Sequence, residues 1–425
     1  MTRLACDVAV IGAGAAGLAA AHRLQERGVD YLLLEAQNRV GGRAYTERSH
    51  DGAFAVELGA EFVHGTPAST LELLQAAGEP TMAGESHHFQ LRNGRLQEAG
   101  DVWEAIERVL DRVDLHGRDH SVESFLDTIS VGELTSETRD EVRSLIEGFD
   151  AAITTDASAI AIAKEWRSGV NDTSSRPVNG YAPLMQHLAR LVAERTLLET
   201  RVDAVRWSPQ HVELHATRFE KPMQVHARRA IVTLPIGVLQ AQPQLFSPAL
   251  PSQKRAAIDA VAMGPVIKVV LDFRSRFWEE LDGGRYRDAG FFQAPRLPMR
   301  TIWTRLPERT TLLVAWAGGG AAQRIINAGT DPIDTALDTA KVLWPSVDVR
   351  AELRTAYYHD WQADPFARGA YSYLRVGAAD ARLRLGEPID DTLFFAGEAT
   401  SDDDSGTVAG ALDSGYCCVS LLSAK

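Results

Sequence analysis

The sequence predicts an α/β protein with a doubly wound parallel sheet, and three observations carry that prediction. Residues 6–35 read as strand, glycine-rich turn, helix and second strand. A strand–turn–helix unit returns near the far end, in "FFAGEATSDDDSGTVAGALDSG" at 394–415. The chain has 425 residues and is 45% hydrophobic, enough to bury a large core spread over two or more lobes.

The first unit is "CDVAVIGAGAAGLAAAHRLQERGVDYLLLEA". Cys6–Ile11 is an apolar run of strand length, Ala15–Arg27 reads as a helix closed by Gly28, and Tyr31–Leu34 is a second buried strand ending in Glu35. Between them lies a G-x-G-x-x-G turn. Gly12 permits the tight bend, Gly14 lets backbone approach a pyrophosphate, and Gly17 lets the helix pack close to the strand. The pyrophosphate sits on the free N–H groups of the helix start, around Ala16. Glu35, with Ala36 beside it, is placed to accept the ribose hydroxyls of an adenosine. Strand, glycines, helix, second strand and terminal acid agree on a Rossmann-like dinucleotide site.

The next stretch, "EAQNRVGGRAYT", sets Arg39 and Arg43 around Gly41-Gly42. Guanidinium groups there meet phosphates while the glycine backbone passes close to a cofactor. Taken together, "VIGAGAAGLAAAHRL" and "LLLEAQNRVGGR" resemble the flavin-containing amine oxidase superfamily. That superfamily spans monoamine oxidases, polyamine oxidases and lysine-specific histone demethylases, with more distant desaturases and protoporphyrinogen oxidases. The resemblance implies FAD, with Gly42 among its contacts, and leaves the substrate open.

"FAVELGAEFVHGTPA" at 54–68 resembles the family segment lying against the isoalloxazine, through Leu58, Gly59 and Ala60. Its LGAxxxHG form is more like polyamine-type members. His64 by resemblance lines the substrate tunnel; the alternative is a loop histidine capping a turn. Glu61 either meets a distal ammonium or is a surface carboxylate. From about 70 to 190 the pattern is helical and amphipathic, as in "DVWEAIERVLDRVD" and "PLMQHLARLVAER", and Glu165, Trp166 and Asp172 are candidates to face the substrate lobe. Strand character returns in "LLETRVDAVRWSPQHVELHA" and "RRAIVTLPIGVLQ", both similar to FAD-domain strands, with the Val202 backbone beside the adenine.

Lys268 interrupts the apolar run "MGPVIKVVLDF", where a lysine costs free energy unless it has a partner or water. By resemblance it holds a water against flavin N5; otherwise it is an outward-facing strand residue. Trp361 and Tyr371, in "YYHDWQADPFARGAYSYLRVG", match the family's aromatic wall, which orients an amine beside the flavin. Ala370 stands where covalent monoamine oxidases carry a cysteine, so the FAD is expected to be non-covalent. In the last unit the resemblance puts Gly397 and Glu398 against the pyrophosphate–ribitol region. It also puts the N–H groups around Thr407 and Val408 against the flavin pyrimidine, where a positive helix end stabilises negative charge. Thr407 replaces an aromatic of monoamine oxidases. One of Asp402–Asp404, or Ser405, is expected to cap the helix, and the other acids face solvent or the tunnel mouth.

The resemblance therefore implies an FAD-binding domain of discontinuous segments, 1–75, 195–245 and 385–425. An α+β substrate-binding domain with an antiparallel sheet and helices takes up 76–194 and 246–384. The implied reaction oxidises an amine C–N bond to an imine that water hydrolyses, with O2 reduced to hydrogen peroxide, on a polyamine or secondary amine. A desaturase or porphyrinogen-type oxidase and a non-catalytic flavoprotein binding module are the alternatives. The net charge of −13 and the lack of a basic stripe argue against nucleic acid; the acidity suits a cationic substrate or simply solubility. Three cysteines without a CxxC pair, no leader-like start and no long apolar run lead us to expect a cytoplasmic chain with no membrane partner and no metal.

Overall fold

The computed structural model describes residues 2–84, 86–100, 102–130, 134–168 and 173–422. The first unit forms as strand Thr2–Ile11, helix Ala15–Glu26 and strand Tyr31–Leu34. The first strand starts ahead of the apolar run because its leading residues are partly exposed. They are held by pairing, from Thr2 opposite Met223 to Ile11 opposite Val232.

An eight-stranded sheet is built on this unit. Thr196–Leu197, Tyr31–Leu34, Thr2–Ile11 and Lys221–Val232 lie side by side in parallel, and Leu393–Phe395 adds a further parallel strand to the end of Lys221–Val232. The leading half of Lys221–Val232 instead carries an antiparallel extension, His211–Arg218 and then Thr200–Ser208. Helix Ala15–Glu26 covers one face, and the last helix, Val408–Leu421, packs on it. Gly415 makes that contact: a Cβ there would lie 2.2 Å from the Ala16 carbonyl oxygen.

A seven-stranded sheet forms the second layer system, in the order Leu353–Tyr358, Val266–Phe273, Leu312–Gly318, Thr301–Trp303, Ala289–Gln293, His87–Arg92, Arg95–Glu98. Its pairings are antiparallel except that Ala289–Gln293 runs parallel to His87–Arg92. Helices Gly319–Ala328 and Pro332–Leu343 contribute to its core, and helices from 102–167 form a separate apolar cluster. The region expected to be helical from 70 to 190 therefore also contains a hairpin at 87–98. Its turn is Asn93-Gly94, both at positive φ, the dipeptide that the twist of a two-residue hairpin turn favours.

A cavity of about 640 Å³ runs between residues of the two sheets, reaching Gly12, Glu35 and Val202 on one side and Lys268, Phe291 and Trp316 on the other. No described helix is long and apolar enough to cross a membrane, and Cys6, Cys417 and Cys418 are free thiols.

Candidate active site

One end of the cavity has the shape and chemistry of a dinucleotide cradle. Gly12 sits at φ +102, and Gly17 has no room for a side chain, since its Cβ would lie 1.8 Å from the Gly12 carbonyl oxygen. Gly14 differs: a Cβ there meets no protein atom within 4 Å and would project into open space. The helix behind it starts with no side-chain cap and no acid in its first turn, leaving its N–H groups to an anion. Gly12, Gly14, Ala16, Glu35, Ala36, Gly42, Arg43 and Val202 all line the cavity, while Gly17 packs behind it as expected.

At this end one residue takes a second task and another departs from expectation. The Glu35 carboxylate accepts from the backbone N–H groups of Ala13 (2.7 Å) and Gln37 (2.8 Å), so it also fixes the glycine turn. Arg39 does not line the cavity. It donates to the Gly42 carbonyl oxygen at 2.8 Å and stacks 3.9 Å over the Tyr45 ring, bracing the glycine pair rather than reaching phosphate from the wall.

At the other end, Leu58, Gly59, Ala60, Glu61 and His64 line the wall, as do Trp361, Ala370 and Tyr371. Trp361 is buried and donates from Nε1 to the Leu58 carbonyl oxygen at 2.8 Å. Tyr371 donates to the Phe149 carbonyl oxygen at 2.7 Å and packs against Gly406. Burial, with Asp150 and Glu165 nearby, pushes the Tyr371 hydroxyl well above its usual range, so it stays protonated. His64 packs against Phe62 and Phe149, and burial pushes its imidazole down to about 4, which keeps it neutral near pH 7.

Lys268 is not an outward-facing strand residue. It lies in the fully buried strand Val266–Phe273, and its Nζ sits 2.8 Å from Glu61 and 3.0 Å from the Gly59 carbonyl oxygen. Glu61 is not a surface carboxylate: it is buried on the cavity wall and pairs with both Lys268 and Arg176, the latter at 2.9 Å. Burial alone would raise the Glu61 carboxyl, but Lys268, Arg176 and Arg305 outweigh it and hold the group at about 2. Removing one partner would strand a buried charge and destabilise the fold.

Beyond the aromatic wall lie two carboxylates, Asp150 and Glu165, both lining the cavity. Asp150 ends the helix Ser136–Phe149, and Glu165 lies in the last turns of Ala159–Arg167. Burial holds both above the usual carboxylate range, and their proximity adds to it for Asp150. Asp150 accepts from Trp166 Nε1 at 3.3 Å through Oδ2, whereas its buried Oδ1 has no hydrogen-bond partner among the described residues. Trp166 is thus a buried support for Asp150, and Asp172 lies outside the described residues. An acid closing a helix sits against the negative end of the dipole. That unfavourable position is the signal by which the sequence marks Asp150.

The last helix starts at the cavity through Thr407 and Val408. Its cap is neither an aspartate nor Ser405. Thr407 Oγ1 accepts from the Gly410 N–H at 3.0 Å and donates to the Asp404 carbonyl oxygen at 2.8 Å. Glu398 braces the turn, accepting from Arg43 (2.8 Å), Ser372 (2.6 Å) and the Gly406 N–H (3.1 Å). Gly397 lines the cavity beside it, Asp403 and Asp404 line it too, and Asp402 is exposed.

Comparison with known proteins agrees with this geometry. The family described as flavin containing amine oxidoreductase matches residues 15–420. Polyamine oxidase 4 of Oryza sativa subsp. japonica is 28% identical, over 96% of this chain and 87% of its own length. Lysine-specific histone demethylase 2 of Homo sapiens is 26% identical over 98% of this chain, which spans only 53% of that protein. In fold, the chain superposes on a putrescine oxidase solved with putrescine, with a TM-score of 0.84 at 20% identity over 100% of both chains. Cyclohexylamine oxidase from Brevibacterium oxydans IH-35A gives 0.81 at 22% identity over 98% of both. The chain belongs to the flavin-containing amine oxidoreductase family, whose cofactor is FAD.

Proposed function

We propose that this family member is an oxidase of di- or polyamines, using non-covalently held FAD and dioxygen and releasing hydrogen peroxide. The observation that carries the substrate class is the acid pair on the cavity wall, Asp150, which is buried, and Glu165, which is half-buried, each held above the usual carboxylate range. A distal ammonium supplies the opposite charge that these two carboxylates lack between them.

When bound, FAD supplies the two-electron acceptor for oxidising an amine C–N bond to an imine, which water then hydrolyses. Its adenosine end fits the cradle of Gly12, Gly14, Ala16, Glu35, Ala36, Gly42, Arg43 and Val202. Its reactive end fits the wall formed by Leu58, Gly59, Ala60, Gly397, Glu398, Thr407 and Val408, and Ala370 offers no thiol for a covalent bond. The chain's own groups position the substrate. Trp361 and Tyr371 present aromatic surface to the amine, and both rings are fixed by hydrogen bonds to backbone. His64, held neutral, does not repel a cation entering past it. Lys268 places a fixed positive charge on the wall, shared with Glu61, in position to anchor a water.

Because burial raises the Asp150 and Glu165 carboxyls, they bind protons at low pH and ionise as pH rises. Affinity for a diammonium substrate is therefore expected to improve with rising pH until the substrate itself loses its charges. The test is anaerobic bleaching of the purified flavoprotein by a panel of mono-, di- and polyamines and N-methylated amines. Asp150→Asn should raise KM for diamines about tenfold to a hundredfold, the worth of a charged hydrogen bond, and leave monoamines nearly unaffected. No bleaching by any amine defeats the oxidase reading; equal effects on both substrate classes defeat the subsite.

A further inference from the structure

On the outer surface of the eight-stranded sheet, in its antiparallel extension, three metal-ligating side chains converge away from the flavin cavity. His211 and Glu213 are two residues apart on one strand, so they project from the same face. His226 is directly opposite Glu213 on the neighbouring strand. Ligand atoms of the three all lie within 4.8 Å of one another, and the two imidazole rings are 6.3 Å apart between centroids. Among the described residues this is the one group of its kind, and none of its members lines the cavity.

We propose that His211, Glu213 and His226 form a site for one divalent transition-metal ion of the zinc type. Two imidazoles and one carboxylate suit Zn²⁺, Ni²⁺ or Cu²⁺ and not Mg²⁺ or Ca²⁺, which prefer all-oxygen shells. In a tetrahedral zinc centre with bonds of about 2.0–2.1 Å the donors stand about 3.4 Å apart. Small side-chain rotations close the observed spacing, since His211 is exposed and the other two are half-buried.

The carboxylate is already oriented. Glu213 Oε1 is engaged by His215 from the same strand, by Gln224 Nε2 at 3.3 Å and by Arg206 at 3.8 Å. Partners of this kind fix a ligating carboxylate and tune the site. Three protein ligands leave a position for water, and the ion bridges two neighbouring strands. Its expected consequence is a stiffer extension, because an ion bound only by the folded form stabilises it.

The experiment uses tag-free, metal-stripped holoenzyme titrated with ZnCl2 by calorimetry, with unfolding followed in parallel. Saturable binding of one ion per chain and a raised Tm are expected, with no response to MgCl2. His211→Ala and His226→Ala should each abolish the one-to-one binding and the Tm rise while the flavin spectrum stays unchanged. His215→Ala, which removes only an orienting partner, should weaken binding about tenfold. No saturable binding, or binding that survives both His→Ala substitutions, overturns the proposal.

Discussion

Two helices point their N-termini into the same cavity, and they are built in opposite ways. The helix Ala15–Glu26 starts at Gly14 with no side-chain cap, no acid in its first turn and open space where a Cβ would stand. The helix Val408–Leu421 starts at Thr407, whose hydroxyl caps Gly410, on a turn stapled by Glu398 and approached by three aspartates. The backbone dipole is the same in both. What differs is how much of it the protein has already satisfied. The first start leaves its donors to a ligand carrying full negative charge, as a pyrophosphate does. The second has used a donor on its own threonine and holds a rigid turn, which suits the polar edge of a neutral ring.

The largest test of this contrast is Gly17→Ala. Its Cβ would meet the Gly12 carbonyl oxygen at 1.8 Å, backbone against backbone. A loss of about 1–3 kcal/mol or more is expected, with little flavin retained, measured by thermal unfolding and flavin absorbance. Gly14→Ala comes next and separates packing from ligand. That Cβ touches no protein atom, so apo-protein unfolding should be unchanged while FAD affinity falls. A parallel loss of apo stability would refute the open-cradle reading. Thr407→Ala should cost about 1 kcal/mol through the lost cap, and Thr407→Ser should restore most of it. The smallest effect belongs to Asp403→Asn with Asp404→Asn: at low salt, KM for a polycation should rise about twofold to fivefold, the scale of exposed charge pairs. No change, or one insensitive to salt, would assign those acids to solvation alone.

The glycine cradle was readable because its constraint is local. A tight turn, a close backbone approach and a helix–strand contact each demand glycine at a fixed offset. The hairpin at 87–98 went unread although Asn93-Gly94 marks it, because the surrounding amphipathic helices dominated the pattern. Lys268 was legible as a charge in an apolar strand, but its partner was not, since Glu61 comes from a distant loop. Asp150 stands in a segment where most charges face solvent; its helix-closing position is a weak local signal, and its burial beside Glu165 appears only in the folded chain.

The nucleotide-binding frame and the family were legible in chain order, because both depend on residue type at short range. Which charges meet is settled only in the folded chain: Glu61 with Lys268 and Arg176, and Asp150 beside Glu165. The physical reason is that charge interactions depend on distance in space and on exclusion of water. Neither quantity is written in chain order.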